Sequence, residues 1–83
     1  MLDPASIGRI IRDERKELGL RQDELAAASG VGLRFVVELE RGKPTVQLDK
    51  VLAVLGALGC DLQIRRPDGI VKTTAAESQG SRT

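Results

Sequence analysis

The sequence predicts an all-α domain of four short helices, closed by one short C-terminal strand. Three observations predict it. Four consecutive segments carry helical patterning, and each ends at a glycine: Gly19, Gly30, Gly42 and Gly59. After Gly59 the period changes to two. The chain has 83 residues, 41% hydrophobic and 30% charged, which suits one small globular domain with, at most, a tail.

The first helix is expected over residues 4–18. Asp3 or Ser6 can cap it, and Pro4 suits its first turn. Ile7, Ile10, Ile11 and Leu18 make an apolar stripe, and the charged residues from Arg9 to Glu17 mostly take the other faces. The second helix spans residues 22–29. Asp23 and Glu24 favour its positive end, and Ala26, Ala27 and Ala28 let another helix come close. The third helix covers residues 33–41, with Val36 and Leu39 inward and Arg34, Val37, Glu38 and Arg41 sharing the opposite face. The fourth covers residues 48–58, where Leu48, Val51, Leu52, Leu55 and Leu58 form a wide stripe that serves as core or dimer interface.

Cys60, Leu62 and Ile64 then alternate with Asp61, Gln63 and Arg65, which predicts a strand over residues 60–66. Pro67-Asp68-Gly69 signals a turn. A lone strand cannot satisfy its own backbone. It needs the same strand of a second chain, a partner protein, or Ile70-Val71 in a weak hairpin. Pairing across a homodimer is the preferred expectation, because a core this small invites dimerisation. The domain thus spans residues 4–66, and residues 67–83 are a turn and a polar tail, expected to be disordered from about Thr73.

Composition excludes several functions. There is no histidine and one cysteine, so neither a zinc site, which takes about four Cys or His ligands, nor a His-dependent nucleophilic site is expected. No metal, cofactor or catalytic residue is predicted, and the chain is not expected to be an enzyme. A single cysteine permits no internal disulfide and fits a reducing compartment. No apolar run approaches the ~20 residues that span a bilayer. Met1-Leu2-Asp3-Pro4 lacks the pattern of a signal peptide, so the expected location is the cytoplasm, with no membrane partner. The net charge of +1 gives no global basic field, so nucleic-acid binding must rest on locally placed charge.

The second and third helices, joined by Gly30-Val31-Gly32, form a candidate helix-turn-helix over about residues 22–41. A helical hairpin alone is a weak signal. Its residues are more specific. Leu20-Arg21-Gln22-Asp23-Glu24-Leu25-Ala26, Ser29-Gly30-Val31, Val36 and Leu39-Glu40-Arg41-Gly42 resemble the Cro/CI (Xre) helix-turn-helix family, over roughly residues 7–58. The resemblance implies a lambda-repressor-like fold and a dimeric, sequence-specific repressor of double-stranded DNA with a palindromic operator. Residues 57–64 further resemble the HipB-type antitoxins. That implies a strand built on Cys60, Leu62 and Ile64 that pairs across the dimer, repression of the protein's own operon, and a HipA-like kinase toxin as partner.

Carried over by position, the resemblance assigns Gln22 to a phosphate or base contact. It places Gly32, Leu33, Arg34, Phe35, Val37 and Glu38 towards the groove, and Arg41 and Lys43 within reach of phosphates. Arg15 and Glu40 match a partly buried structural ion pair. Arg21 stands where Ser or Thr often caps the second helix, so a phosphate contact is expected instead. The recognition face is unusually apolar, leaving Arg34 as the strong base reader, worth about 1–3 kcal/mol of discrimination against a wrong base. Glu38 can accept from a cytosine amine or pair with Arg34 or Arg41. Val37 and Phe35 either touch a thymine methyl or belong to the core. Two alternatives stand beside the antitoxin: a stand-alone repressor, and a protein–protein adaptor that has lost DNA binding.

Overall fold

In the computed structural model, which describes residues 3–74, four helices precede a two-stranded hairpin: α1 (Pro4–Glu17), α2 (Gln22–Ser29), α3 (Leu33–Glu40), α4 (Leu48–Ala57), β1 (Gln63–Arg65) and β2 (Val71–Thr73). Each helix end has a local cause. The Asp3 carboxylate accepts from the Ser6 N–H at 2.6 Å, so Asp3 and not Ser6 caps α1, with Pro4 just inside it. Arg21 at the start of α2 offers no side-chain acceptor. Instead the Glu24 carboxylate reaches back to accept from the Arg21 N–H at 2.8 Å.

Ile11, Leu25, Ala26, Val36, Leu39, Val51, Val54 and Leu58 form the core, so every helix contributes. α2 packs on both α3 and α4, and α1 packs on α3. Two glycines permit the α1 contact. Gly8 lies where α1 meets the end of α3. Gly42 takes φ +86°, and a Cβ there would stand 2.7 Å from the Cα of Ala5.

The core is smaller than the spacing predicts. Of the α1 stripe only Ile11 is buried; Ile7, Ile10 and Leu18 are exposed, Ile10 by 59%. In α4, Leu48 and Leu52 are exposed as well. Ile7 and Ile10 instead face Leu55, Leu58, Cys60 and Leu62 across an apolar groove of about 260 Å³.

The strand is also shorter than the alternation predicts, and it has a partner in its own chain. β1 pairs antiparallel with β2, setting Gln63 against Thr73, Ile64 against Lys72 and Arg65 against Val71. Cys60 and Leu62 lie ahead of the strand, and only Ile64 of the three predicted strand residues is in it. The local hairpin forms because the turn brings the segments together after a very short loop: Asp68 accepts from the Ile70 N–H at 3.0 Å and ion-pairs with Arg66 at 2.9 Å. Thr73, expected to open a disordered tail, ends β2, and Thr74 donates to the Leu62 carbonyl. The rest of the expected tail lies outside the described residues.

Candidate nucleic-acid interface

The α2–turn–α3 unit positions the predicted site. The Val31 N–H donates to the Ala26 carbonyl at 3.1 Å, closing the turn, and Gly32 opens α3. Val36 and Leu39 anchor α3 from beneath. Leu33 and Arg34 are left outward, the Arg34 side chain 90% exposed. Phe35 and Val37 are half-buried. Phe35 packs against the edge of the core, with the Lys50 ammonium 5.8 Å from its ring centre. Val37 faces α1 instead, in a cleft between the two helices.

Three predicted residues form one ion cluster. The Glu38 carboxylate accepts from Lys43 at 3.2 Å and from Arg34 at 3.4 Å. Arg41 is not part of it. The Lys43 ammonium, and after it the Arg34 guanidinium, hold the Glu38 carboxyl below its ordinary value of 4.5. Because the folded value is the lower one, this contribution to stability is present above 4.5 and lost as pH falls through the depressed folded value. A Glu38→Gln chain is therefore expected to lose less of its urea midpoint than the wild type between about pH 5 and about pH 3. Parallel curves for the two proteins would show that the cluster does not form in solution.

The Arg15–Glu40 pair lies beneath the site. Nε of Arg15 donates to Oε2 of Glu40 at 2.7 Å and an Nη donates to Oε1 at 3.0 Å. The other Nη donates to the Leu20 carbonyl at 2.8 Å. Gln22 joins the pair by donating to Oε1 at 3.1 Å, a link that spacing alone does not reveal. The bond to Glu40 raises the Arg15 guanidinium above its ordinary value. Arg21, expected at a phosphate, is paired in the free chain with Asp23 at 3.1 Å and Glu24 at 3.7 Å.

Sequence reasoning passed over Arg12 and Lys16. They line the cleft that holds Val37, together with Gln22 and Arg41. Their signal was present: Arg12 stands at i+3 spacing from Arg15 and at i+4 spacing from Lys16, both spacings that share a face. Among the described residues no group of His, Cys, Asp and Glu could hold a metal. No helix of the structure is long and apolar enough to cross a membrane.

Comparison with known proteins matches this arrangement. The helix-turn-helix family model HTH_3 matches residues 11–64. The uncharacterized HTH-type transcriptional regulator y4mF of Sinorhizobium fredii is 61% identical over 64 residues, covering 77% of this chain and 84% of that protein. The restriction-modification controller protein C.AhdI of Aeromonas hydrophila is 34% identical, covering 70% of this chain and 84% of its own, with a TM-score of 0.65. A chain of a HipA-HipB-O2-O3 complex superposes with a TM-score of 0.74 at 18% identity, covering 81% of this chain and 94% of that one. The family match takes in the turn, the outward face of α3 and the ion pair beneath it, and the chain belongs to the HTH_3 (Xre, Cro/CI) family of DNA-binding transcriptional regulators, which are not enzymes.

Proposed function

We propose that the chain is a homodimeric repressor of its own promoter and the antitoxin of a HipBA-like toxin–antitoxin operon, acting in the cytoplasm with a HipA-like kinase as its protein partner. The observation that carries this reading is the hairpin that follows α4. Among the described residues β1 pairs with β2 alone, which leaves its other edge open, and Leu62 and Ile64 are exposed beside it. An open, apolar edge next to an apolar groove suits a second copy of the chain. The dimer then sets two α3 helices about 34 Å apart, one turn of a palindromic operator. The likeness to the chain of the HipA-HipB-O2-O3 complex supports the same architecture through fold alone.

In this reading α3 enters the major groove from Gly32 onward. Arg34 leaves Glu38 to bond a guanine, and Glu38 then accepts from a cytosine amine. Leu33 presents apolar surface, with Phe35 and Val37 at the flanks of the contact. Gln22, Arg21, Arg41 and Lys43 hold phosphates and set the register. A stand-alone repressor is the second reading. The 34% identity to a restriction-modification controller protein favours it.

Fluorescence anisotropy on duplex DNA from upstream of the gene tests the reading, with scrambled DNA and an Arg34→Ala chain alongside. Tight binding to the first duplex only, steeply weakened by salt and reduced about 10-fold or more in Arg34→Ala, is expected. Equal, weak binding to both duplexes would favour the adaptor instead. Co-purification with the kinase-like chain encoded next door separates antitoxin from stand-alone repressor.

A further inference from the structure

Three cations gather beside the recognition helix. Arg12 and Lys16 on α1 and Arg41 after α3 line one polar cleft of about 410 Å³, with Gln22 at the start of α2. All three cations are exposed, and among the described residues none has an ion-pair partner. The cleft's one acid, Glu40, is already neutralised by Arg15. The neighbouring Asp23 and Glu24 are engaged by Arg21, and Asp13 and Glu17 do not line the cleft. The cleft therefore carries three uncompensated positive charges in a chain whose net charge is +1.

Such a cleft takes a diffuse, solvated anion and not a base edge. It is open, polar and lined by long flexible cations, with a single oriented amide. Gln22 has two amide N–H donors, and only one is used by Glu40, so the other is available at the mouth of the cleft. The geometry points to a backbone-phosphate clamp in which Arg12 and Lys16 of α1 grip the strand beside the groove that α3 reads, with Arg41 and Gln22 closing it. This rests on the DNA-binding reading above and adds to it a role for α1, which makes the first helix a second anchor on the duplex. Phosphate neutralisation adds affinity without regard to sequence.

The test compares wild type, Arg12→Gln/Lys16→Gln, and the charge-preserving Arg12→Lys/Lys16→Arg chain by anisotropy over a salt series. Each is titrated with the own-promoter duplex and with the scrambled one. Circular dichroism confirms folding, which substitution at two exposed positions leaves intact. The neutral double variant is expected to lose about 1.8 from the slope of log affinity against log salt, at ~0.9 per phosphate. Its affinity falls on the order of 10-fold for both duplexes alike, so the preference between them is unchanged. The charge-preserving variant keeps the wild-type slope. A neutral variant with the wild-type slope overturns the clamp, while wild type still preferring its promoter leaves the DNA-binding reading standing. A changed preference between the duplexes also overturns it, since the cleft would then be reading bases. Wild type that binds neither duplex overturns both readings.

Discussion

A Gly8→Ala chain is expected to lose most of its folding stability, though alanine is the better helix former. Gly8 is buried in α1 where that helix crosses the end of α3. A Cβ there would overlap the Leu39 carbonyl oxygen and lie 2.8 Å from that of Glu40. Both obstacles are backbone atoms at a helix end and cannot rotate aside. α1 must then back away, which loosens Ile11 in the core and stretches the Arg15–Glu40 pair. Overpacking of this kind costs about 1–3 kcal/mol and sometimes more. A core of this size supplies only about 3–5 kcal/mol in all. Gly56→Ala is the matched control: also within a helix, but with nothing near the added Cβ. It is expected to stabilise by about 0.5–1 kcal/mol. Urea melts of the two variants beside wild type should therefore shift in opposite directions. A Gly8→Ala midpoint at or above wild type would show that α1 does not sit this close to α3.

That contact marks the limit of what the chain discloses in one dimension. Helix positions are legible because they depend on neighbours: the spacing of Val36 and Leu39, the Asp3 cap, the glycine after each helix. Bounds at the helix ends differ from expectation by a residue, as where α3 closes at Glu40. Gly8 lies between Ile7 and Ile11 and reads as a neutral helix position, since its reason is a carbonyl 31 residues further along. Periodicity also shows which residues share a face without showing whether anything covers it. Ile7 and Ile10 therefore read as core and lie exposed. Val71-Lys72-Thr73 is too short to show a period, so in the sequence the hairpin stands only as the weakest of three possible partners for the strand, through Ile70-Val71.

The interface divides along the same line. Arg34, Glu38 and Lys43 are legible as charged positions around one helix, but their union in a single cluster depends on side-chain reach. Arg15 and Glu40 are legible as a pair through the family resemblance. The Gln22 amide that joins them comes from the start of α2, and only the fold brings it to the same carboxylate. Phe35 was open between core and groove on spacing alone. The fold places it at the edge of the core, with Lys50 of α4 over its ring.

Removing Glu40 is expected to cost about 3–5 kcal/mol, and the reason is asymmetry and not the strength of the pair. The Glu40 side chain is 4% exposed and accepts three hydrogen bonds, two from Arg15 and one from Gln22. In Glu40→Ala the Arg15 guanidinium stays charged and nearly buried, with only the Leu20 carbonyl as partner. Arg15→Ala strands the carboxylate in the same way. Removing both charges together leaves no orphan, so Arg15→Met/Glu40→Leu, which keeps most of the volume, is expected within about 1 kcal/mol of wild type. With Arg15→Met and Glu40→Leu as the single variants, the cycle then returns a coupling of about 2 kcal/mol or more from urea melts at neutral pH. Glu40→Ala within about 0.5 kcal/mol of wild type would mean that water reaches the pair in solution. The apolar double variant also separates folding from function. It keeps the fold but takes away the carboxylate that orients Gln22, so its affinity for the own-promoter duplex should fall while its urea midpoint does not. A double variant that binds as wild type does would confine the Arg15–Glu40 pair to holding α1 against α3, and Gln22 would then find its position without it.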